Sequence, residues 1–292
     1  MAMDNLTQRV LTALVGVPLL CFIFYLGGVP FLILVLGIIF VGGLEFFKLL
    51  EIKRISSGKW LGLISSLILG IAAYHGYLWL GVFFMATIFF IPVLQLRKRD
   101  LIDSITTIGT TLFGVIYLGW FLSHAVLLRN IGYIPQIKSY AKEAQGLEDA
   151  GFFYLIFVVA CTFLNDTGAY VVGKWKGKKK LIPRISGGKT VEGTVGGIVF
   201  STVTGLIVNL VFKSPLEYHW ALIFGFIIGI VALLGDLVES LIKRSVGVKD
   251  SGVILPGHGG ILDRFDSLIL AFPVSYYLIV IYYWLKGVSL GM

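Results

Sequence analysis

Residues 220–245 read WALIFGFIIGIVALLGDLVESLIKRS, and the first sixteen of them contain no charged side chain. A helix needs about 20 predominantly apolar residues to cross the hydrocarbon layer of a membrane. The stretch therefore predicts a membrane-spanning helix that ends beside two basic residues. It also places two carboxylates, Asp236 and Glu239, inside the span, where charged side chains are costly.

The composition of the whole chain extends this prediction. Of the 292 residues, 57% are hydrophobic and 14% are charged, and the mean hydropathy is +0.92. One soluble core could not bury so much apolar surface, so we expect an all-α, polytopic integral membrane protein with about nine transmembrane helices. The predicted spans are residues 10–28, 30–47, 60–76, 78–96, 105–128, 151–173, 194–212, 220–242 and 266–286.

Two features of these spans leave alternatives open. The first run lacks a small-residue cleavage site, which favours a retained span over a signal peptide. Only His75, Gly76 and Tyr77 separate the third run from the fourth. A re-entrant hairpin is therefore an alternative to two complete spans at that place.

Lysine and arginine are distributed unevenly between alternate loops. With a cytoplasmic N-terminus, 19 of the 24 basic residues lie on the cytoplasmic side. Because basic loops are retained in the cytoplasm, we expect this orientation, with the C-terminus on the other side of the cell inner (cytoplasmic) membrane. The net charge of +8 then reflects topology, and we expect no nucleic-acid partner.

Polar residues are concentrated in the second half of the chain. Residues 1–150 carry almost no polar groups in their spans, apart from Glu45 near one end and His124, and are interpreted as a transmembrane scaffold. Residues 151–292 are interpreted as the catalytic part of one continuous membrane domain, with a polar cavity open to the cytoplasmic face. No internal repeat relates the halves, whereas an inverted-repeat transporter would show two matched halves. The outer loop, residues 129–150, is predicted to be a surface amphipathic segment.

Three acids, Asp166, Asp236 and Glu239, lie inside predicted spans. A carboxylate at the centre of a span costs about 2.5–3.5 kcal/mol on insertion scales, so each needs a partner, a polar cavity or a cation. On a helix, Ser240 and Lys243 share a face with Asp236 and Glu239, because the four recur at i, i+3, i+4 and i+7. An interhelical salt bridge would explain the acids equally well.

The predicted cytoplasmic loop GKWKGKKKLIPRISGGKTVEG, residues 173–193, carries seven basic residues. Its GGKT is not a Walker A motif, because Pro183 occupies the place of the first glycine and no strand is expected before it. A glycine turn beside hydroxyls and a lysine, leading into a helix, can still cradle phosphate. The predicted phosphate-binding residues are Arg184, Ser186, Gly187, Gly188, Lys189 and Thr190. The three lysines at 178–180 are interpreted as a topology signal.

The stretch KDSGVILPGHGGILDRFDS, residues 249–267, combines acids and glycines at the start of the last predicted span. Asp263 and Asp266 are three residues apart, so both carboxylates point the same way and can reach one hard cation. Mg²⁺ takes few protein carboxylates and fills its shell with water and substrate phosphates. Beside them stand Gly257, His258, Gly259 and Gly260. The glycines let a ligand approach the backbone closely, and the histidine is either catalytic or a hydrogen-bonded structural residue.

These residues strongly resemble the signature of the phosphatidate cytidylyltransferases, also called CDP-diacylglycerol synthases. The positions that match are Ser240, Ile242, Lys243, Arg244, Lys249, Asp250, Gly252, Leu255, Pro256, His258, Gly259, Gly260, Ile261, Asp263, Arg264, Phe265 and Asp266. The match extends without a departure over a pattern of 27 residues, which makes it very specific. The segments NDTGAY and PRISGGKTVEG are similar to that family too, so the resemblance covers roughly residues 151–292. The chain length is similar to that of the prokaryotic form.

The resemblance implies that CTP and phosphatidate react to give CDP-diacylglycerol and pyrophosphate in phospholipid biosynthesis. The lipid phosphate is already a competent nucleophile, so we expect positioning and charge neutralisation to dominate catalysis. A homodimer is a further expectation.

The same resemblance implies roles for individual residues. The predicted Mg²⁺ ligands are Asp263, Asp266, Asp236 and Asp166, of which Asp166 could equally face a second cation. The predicted catalytic residues are Asp263, Asp266, Asp236, Lys249, Arg264 and His258. Besides the phosphate-binding loop, the predicted substrate-binding residues are Lys243, Arg244, Asp250, Gly259 and Gly260.

Two other functions stay open from the sequence. A CTP-dependent polyprenol or phytol kinase would transfer the γ-phosphate to a neutral alcohol and would need a base such as Asp263. A transporter is the alternative from another class, although the functional groups cluster at one predicted face.

The charge distribution makes a testable prediction about topology. A reporter that is active only outside the cytoplasm, fused after Met292, should be active because an odd number of spans follows a cytoplasmic N-terminus. The same reporter fused in the basic loop after Lys180 should be inactive. Activity of the second fusion, or silence of the first, would contradict the predicted orientation or span count.

Overall fold

The computed structural model describes residues 5–97, 101–145, 147–213, 216–252 and 259–288, and these residues are mostly helical, as predicted. The helices are α1 Asn5–Leu26, α2 Gly28–Ile52, α3 Lys59–His75, α4 Tyr77–Gln95, α5 Ser104–Gly114, α6 Phe121–Asn130, α7 Pro135–Gln145, α8 Ala150–Lys176, α9 Val191–Phe212, α10 Tyr218–Ser245 and α11 Leu262–Leu285. A π-helical segment, Val115–Trp120, joins α5 to α6, and a 3-10 turn, Ile131–Tyr133, follows α6.

Among the described residues, seven helical segments are long and apolar enough to cross a membrane. They are Gly28–Ile52, Tyr77–Gln95, Ser104–Tyr133, Ala150–Lys176, Val191–Phe212, Tyr218–Ser245 and Leu262–Leu285. Two shorter apolar segments, Gly16–Leu26 and Lys59–His75, coincide with the first and third predicted spans. The chain is therefore a multi-pass membrane protein.

The third and fourth predicted spans are separate helices, α3 and α4. Gly76 separates them with φ +119° and ψ 173°, a conformation that residues with a Cβ rarely adopt. Helix α3 has 17 residues, which corresponds to about 26 Å at 1.5 Å per residue. That length is slightly less than the hydrocarbon thickness of about 30 Å.

A two-stranded antiparallel hairpin departs from the all-α prediction. Strand β1, Lys180–Ile182, pairs with β2, Ser186–Thr190, so that Ile182 lies opposite Ser186. Pro183 begins the turn between them, a position that suits its restricted φ. The GGKT segment is thus an extended strand preceded by another strand, and the expectation of a glycine turn with no strand before it was wrong.

Contacts divide the described chain into two compact units. The first comprises residues 1–127 and 243–265, and the second comprises residues 128–242 and 266–292, each without the undescribed residues. Most of the signature stretch thus belongs to the same compact unit as the N-terminal helices. The functional boundary expected at residue 150 stays a prediction.

In the first unit, helices pack closely where glycines face large side chains or backbone. A Cβ on Gly62 would lie 2.4 Å from the Phe47 ring, and one on Gly119 would lie 2.7 Å from the Ser66 Cα. Close approach of backbones through small residues is how helices associate in lipid, where the hydrophobic effect does not drive them together. This packing places one end of α2 within the interior, with Phe46 and Phe47 buried.

In the second unit, α8 and α9 also pack through glycines. A Cβ on Gly197 would lie 2.7 Å from the Asn165 carbonyl oxygen, and one on Gly168 would lie 2.5 Å from the Phe200 ring. The side chain of Ser201 donates to the Gly225 carbonyl at 2.7 Å and so joins α9 to α10. Asp166 on α8 is thereby held against the start of α9.

The segment that precedes α8 contains an ion pair whose arginine is buried. Arg129 is 1% exposed and donates from both terminal nitrogens to the Asp149 carboxylate, at 3.0 and 2.8 Å. Asp149 also accepts from the Phe152 amide at 2.8 Å and caps α8. The predicted amphipathic segment is α7, on which Ile137 and Ala141 are buried.

Candidate active site

The predicted site residues form two groups, one in each compact unit. The group in the second unit contains Asp166, Arg184, Ser186, Gly187, Gly188, Lys189, Thr190, Asp236 and Asp266. The group in the first unit contains Lys243, Arg244, Lys249, Asp250, Gly259, Gly260, Asp263 and Arg264. His258 lies outside the described residues.

Five residues of the second-unit group, Asp166, Gly188, Lys189, Thr190 and Asp236, line a cavity of about 460 Å³, whereas Arg184, Ser186, Gly187 and Asp266 are not part of its lining. Helices α8, α9 and α10 and strand β2 all contribute to its lining. The charged and polar residues that line it are Asn165, Asp166, Tyr170, Lys174, Lys189, Thr190, Thr194 and Asp236. Carboxylates suit a hard cation and ammonium groups suit phosphates, so the lining can accept both charges of a metal–polyphosphate.

An ion pair lies at the centre of this lining. The Lys189 ammonium is 2.5 Å from the Asp236 carboxylate, and the two side chains are 22% and 24% exposed. Ser240 donates a longer hydrogen bond, 3.3 Å, to the same carboxylate. The salt bridge considered for Asp236 is therefore present, and it joins α10 to β2.

Strand β2 gives Lys189 its position beside the cavity. The next residue, Thr190, accepts from the Gly193 amide at 3.1 Å and caps α9. Because β2 is extended and its end is fixed by this cap, the Lys189 side chain is half-buried at the cavity. Gly188 also lines the cavity, and Arg184 lies exposed in the hairpin turn.

The lysines at 178–180 differ from Lys189 in their surroundings. Their side chains are exposed. The Glu192 carboxylate accepts from the backbone amides of Lys178 and Lys179, at 3.0 and 3.2 Å. This contact anchors the backbone of the segment and leaves the three ammonium groups at the surface.

In the first unit, Asp263 is surrounded by donors from the protein. Its carboxylate accepts from the Lys243 ammonium at 2.7 Å and the Gly260 amide at 2.8 Å. Ser251 donates to it from both its amide and its hydroxyl, each at 3.0 Å. A carboxylate has about four acceptor positions, and these contacts occupy most of them.

The remaining signature residues of this unit are more exposed. Arg244 donates to the Val248 carbonyl at 2.8 Å. Lys249, Asp250 and Arg264 are exposed. Gly259 has φ +84°, and a Cβ there would lie 2.8 Å from an Asp263 carboxylate oxygen. A glycine is therefore required at this position both by conformation and by space.

Two other acids of the second unit, Asp266 and Glu239, are not part of the cavity lining. Asp266, half-buried, accepts from the Ser267 amide at 2.7 Å. Glu239 is fully buried at 0% exposure. Of the acids predicted in the second unit, Asp166 and Asp236 are the two that line the cavity.

The sequence interpretation missed Asn165 and Lys174, which line the second-unit cavity, and Glu45 in the first unit. Glu45 on α2 is 3% exposed and accepts from the Ile261 and Leu262 amides, at 3.0 and 2.8 Å. The sequence places Glu45 in a predicted span of the region interpreted as scaffold. The signal that could have identified it is the free-energy cost of a carboxylate in an apolar span, because such an acid needs a partner.

Comparisons with known proteins agree with the sequence resemblance. The model of a family described as the cytidylyltransferase family matches residues 7–282. A phosphatidate cytidylyltransferase of Bacillus subtilis (strain 168) is 35% identical over 293 residues, which cover 96% of this chain and 100% of that protein. One from Synechocystis sp. is 34% identical over 288 residues, covering 94% and 97%. One from Staphylococcus saprophyticus is 42% identical over 160 residues, covering 55% and 60%.

The contrast between Lys189 and the exposed lysines predicts their effects on binding of pyrophosphate. Lys189→Ala should weaken pyrophosphate binding at least about tenfold, since a hydrogen bond to a charged group contributes about 1.5–3 kcal/mol. Changing residues 178–180 together to alanine should weaken it less than about threefold, because those charges are solvated and screened. Titration calorimetry on the two purified variants measures both effects. Equal losses of pyrophosphate affinity in the two variants would contradict the predicted difference between Lys189 and residues 178–180.

Proposed function

The chain belongs to the cytidylyltransferase family, and on that premise we propose that it transfers the cytidylyl group of CTP to phosphatidate, forming CDP-diacylglycerol and pyrophosphate. It is a nucleotidyltransferase of phospholipid biosynthesis. The observation that carries the proposal is the second-unit cavity, which is lined by Asp166 and by the ion pair of Asp236 with Lys189. A lipid-phosphate substrate is consistent with a multi-pass membrane protein.

The reaction joins two anions. An oxygen of the phosphatidate phosphate attacks the α-phosphorus of CTP, and the bond from that phosphorus to the bridging oxygen breaks. Pyrophosphate leaves with the electron pair. The nucleophile is already deprotonated, so no residue has to act as a general base, and the protein lowers the barrier by alignment and charge neutralisation.

The lysines of the cavity provide part of that neutralisation. Lys189 is held by β2 and the cap on α9, so its ammonium is positioned before substrate binds. Lys174, exposed at the cavity, supplies a second positive charge for the phosphates. In the first unit, Arg244, Lys249 and Arg264 are the exposed basic residues proposed to bind phosphate.

The cavity fits a Mg²⁺ ion by its donor set. Asp166 and Asp236 offer two carboxylates, and Mg²⁺ in nucleotide enzymes is held by one or two carboxylates together with water and phosphate oxygens. The described residues contain no group of three or more acidic, histidine or cysteine side chains placed to hold a metal. When bound, the ion would offset charge on the phosphates of CTP. For Asp266 the ligand role stays a prediction.

We propose a different role for Asp263 from the one expected of a metal ligand. Its carboxylate accepts from Lys243, Gly260 and the Ser251 amide, and the Ser251 hydroxyl donates either to it or to Glu45. These protein donors leave Asp263 little acceptor capacity for a metal. In the described arrangement Asp263 instead fixes the signature loop to the end of α10.

The topology that supports this reaction is the one expected from the charges. We propose nine spans, in which α1 and α3 also cross, a cytoplasmic N-terminus, and a cavity open to the cytoplasm, where CTP is available. The membrane is the cell inner membrane. The distribution of 19 of 24 basic residues supports this orientation.

A direct assay tests the proposed reaction. Purified protein in phosphatidate-containing micelles is incubated with CTP labelled at the α-phosphorus, and with ATP, GTP and UTP labelled likewise. We expect label in the lipid from CTP alone, with one pyrophosphate released per lipid labelled. Formation of CDP and a lipid labelled only from γ-labelled CTP would indicate a kinase and contradict the proposal.

Asparagine variants distinguish a metal ligand from an anchor. Asp236→Asn should raise the Mg²⁺ concentration needed for half-maximal activity by at least about tenfold, because a ligand is lost. Asp263→Asn should lower the rate and the melting temperature without changing that concentration. The control is Asp103→Asn, an exposed carboxylate paired with Ser56, which should change neither. A raised Mg²⁺ requirement for Asp263→Asn alone would place the metal on Asp263.

A further inference from the structure

Glu45 connects the signature loop with a helix far away in the sequence. It lies on α2, and its carboxylate accepts from the Ile261 and Leu262 amides at 3.0 and 2.8 Å. The Ser251 hydroxyl lies 3.2 Å from it as a third donor. All of these residues belong to the first compact unit. The contacts join positions 206 to 217 residues apart.

The two amides are among those that an α-helix leaves without a partner of its own at its N-terminus. The first four N–H groups of a helix have no partner within it, and a polar N-cap side chain usually accepts from one of them. Helix α11 begins at Leu262, and the residue before it is Ile261, which has no acceptor in its side chain. Glu45 therefore supplies from α2 the acceptor that the local sequence lacks, and its negative charge suits the helix N-terminus.

Two glycines make room for this carboxylate. A Cβ on Gly252 would lie 2.5 Å from a Glu45 carboxylate oxygen, and one on Gly260 would lie 2.6 Å from both. Since real Cβ atoms do not approach so closely, the loop backbone wraps against the buried carboxylate. Both glycines lie in the signature stretch, so part of its glycine content is explained by Glu45 and not by a ligand.

Ser251 relates Glu45 to Asp263. Its hydroxyl lies 3.2 Å from the Glu45 carboxylate and 3.0 Å from the Asp263 carboxylate, and the residue is 5% exposed. One hydroxyl has one proton, so it donates to one carboxylate at a time while its amide stays bonded to Asp263. The carboxylates of Glu45 and Asp263 together therefore bind Ser251 at one end and residues 260–262 at the other.

We propose that Glu45 is a positioning residue for the active site: it fixes the start of α11 and thereby the placement of Asp263 and Arg264. The inference rests on the proposed function, since it concerns the same reaction. In this role Glu45 contacts neither substrate nor metal. It acts through the loop, so its loss should lower turnover more than substrate affinity and should loosen the backbone at residues 259–265.

The variant Glu45→Gln tests this with a matched control. Glutamine preserves the size of the side chain but replaces one acceptor oxygen by a donor, which would face amides that also donate. The control is Glu51→Gln on the same helix, whose carboxylate is 55% exposed and pairs with Lys59 at 3.1 Å. Hydrogen–deuterium exchange of a peptide covering residues 259–265 is measured beside kcat and KM for CTP.

We expect Glu45→Gln to speed exchange in that peptide at least about tenfold and to lower kcat per folded molecule about 10- to 100-fold, the range known for residues that orient catalytic groups. KM for CTP should change less than about threefold, and Glu51→Gln should resemble the wild type in every measurement. Unchanged exchange, or kcat within about twofold of the control, would overturn the proposal. An inactive wild type would instead refute the proposed function, and the exchange result would still decide the role of Glu45.

A second variant decides the question if Glu45→Gln does not fold. Ser251→Ala removes the shared hydroxyl and leaves the Glu45 carboxylate in place. It should speed exchange of the same peptide and lower kcat by a smaller factor. If Glu45→Gln folds, the double variant should lose less than the product of the two single losses, because both changes loosen one network. Wild-type exchange in Ser251→Ala, or fully multiplicative losses, would contradict the inference.

Discussion

A carboxylate within an apolar helix has to meet a donor or a cation, and the contacts around the candidate site follow from that requirement. Asp236 meets Lys189, Asp263 meets Lys243 and three groups of the loop, and Glu45 meets backbone amides. Each pairing joins elements that are separate in the sequence. Because removing one partner leaves a charge without compensation in a poorly solvated place, such pairs constrain which helices can be neighbours.

Close helix packing is what makes these pairings possible. Glycines at 62 and 119 in the first unit, and at 168 and 197 in the second, bring neighbouring helices so near that a Cβ would collide with them. In lipid there is little gain from burying apolar side chains, so van der Waals contact and hydrogen bonds between close helices have to hold the fold. The small residues and the polar residues therefore contribute in different ways. The glycines allow helices to approach closely, and the ion pairs favour those arrangements in which each buried charge has a partner.

The same arrangement serves a reaction between two anions. A cavity that holds carboxylates beside ammonium groups can keep a cation and a polyphosphate together, and the charges are in place before substrate arrives. Preorganised charge lowers a barrier because no reorganisation is needed during the reaction. In the first unit, Glu45 and Asp263 use their acceptor positions on the protein itself, which fits a loop that must keep its shape.

The sequence by itself determined that the protein lies in a membrane, that it is mostly helical, and to which family it belongs. Apolar runs of about 20 residues can be accommodated only in a bilayer, and the spacing in residues 240–266 is specific enough to indicate the reaction, because both are local patterns along the chain. The hairpin at Lys180–Thr190 was not foreseen, because glycine and lysine are depleted in strands and glycine is typical of turns, so the residues of GGKT favoured the turn that was expected. Likewise, an acid at position 45 indicated only that a partner was required. That its partners are Ile261 and Leu262 was decided by folding, because hydrogen bonds between residues more than 200 positions apart leave no pattern in either segment alone. That Asp263 accepts from Lys243 and Ser251, only 20 and 12 positions away, was decided by folding too, because the spacing alone does not show that the loop brings these donors to it.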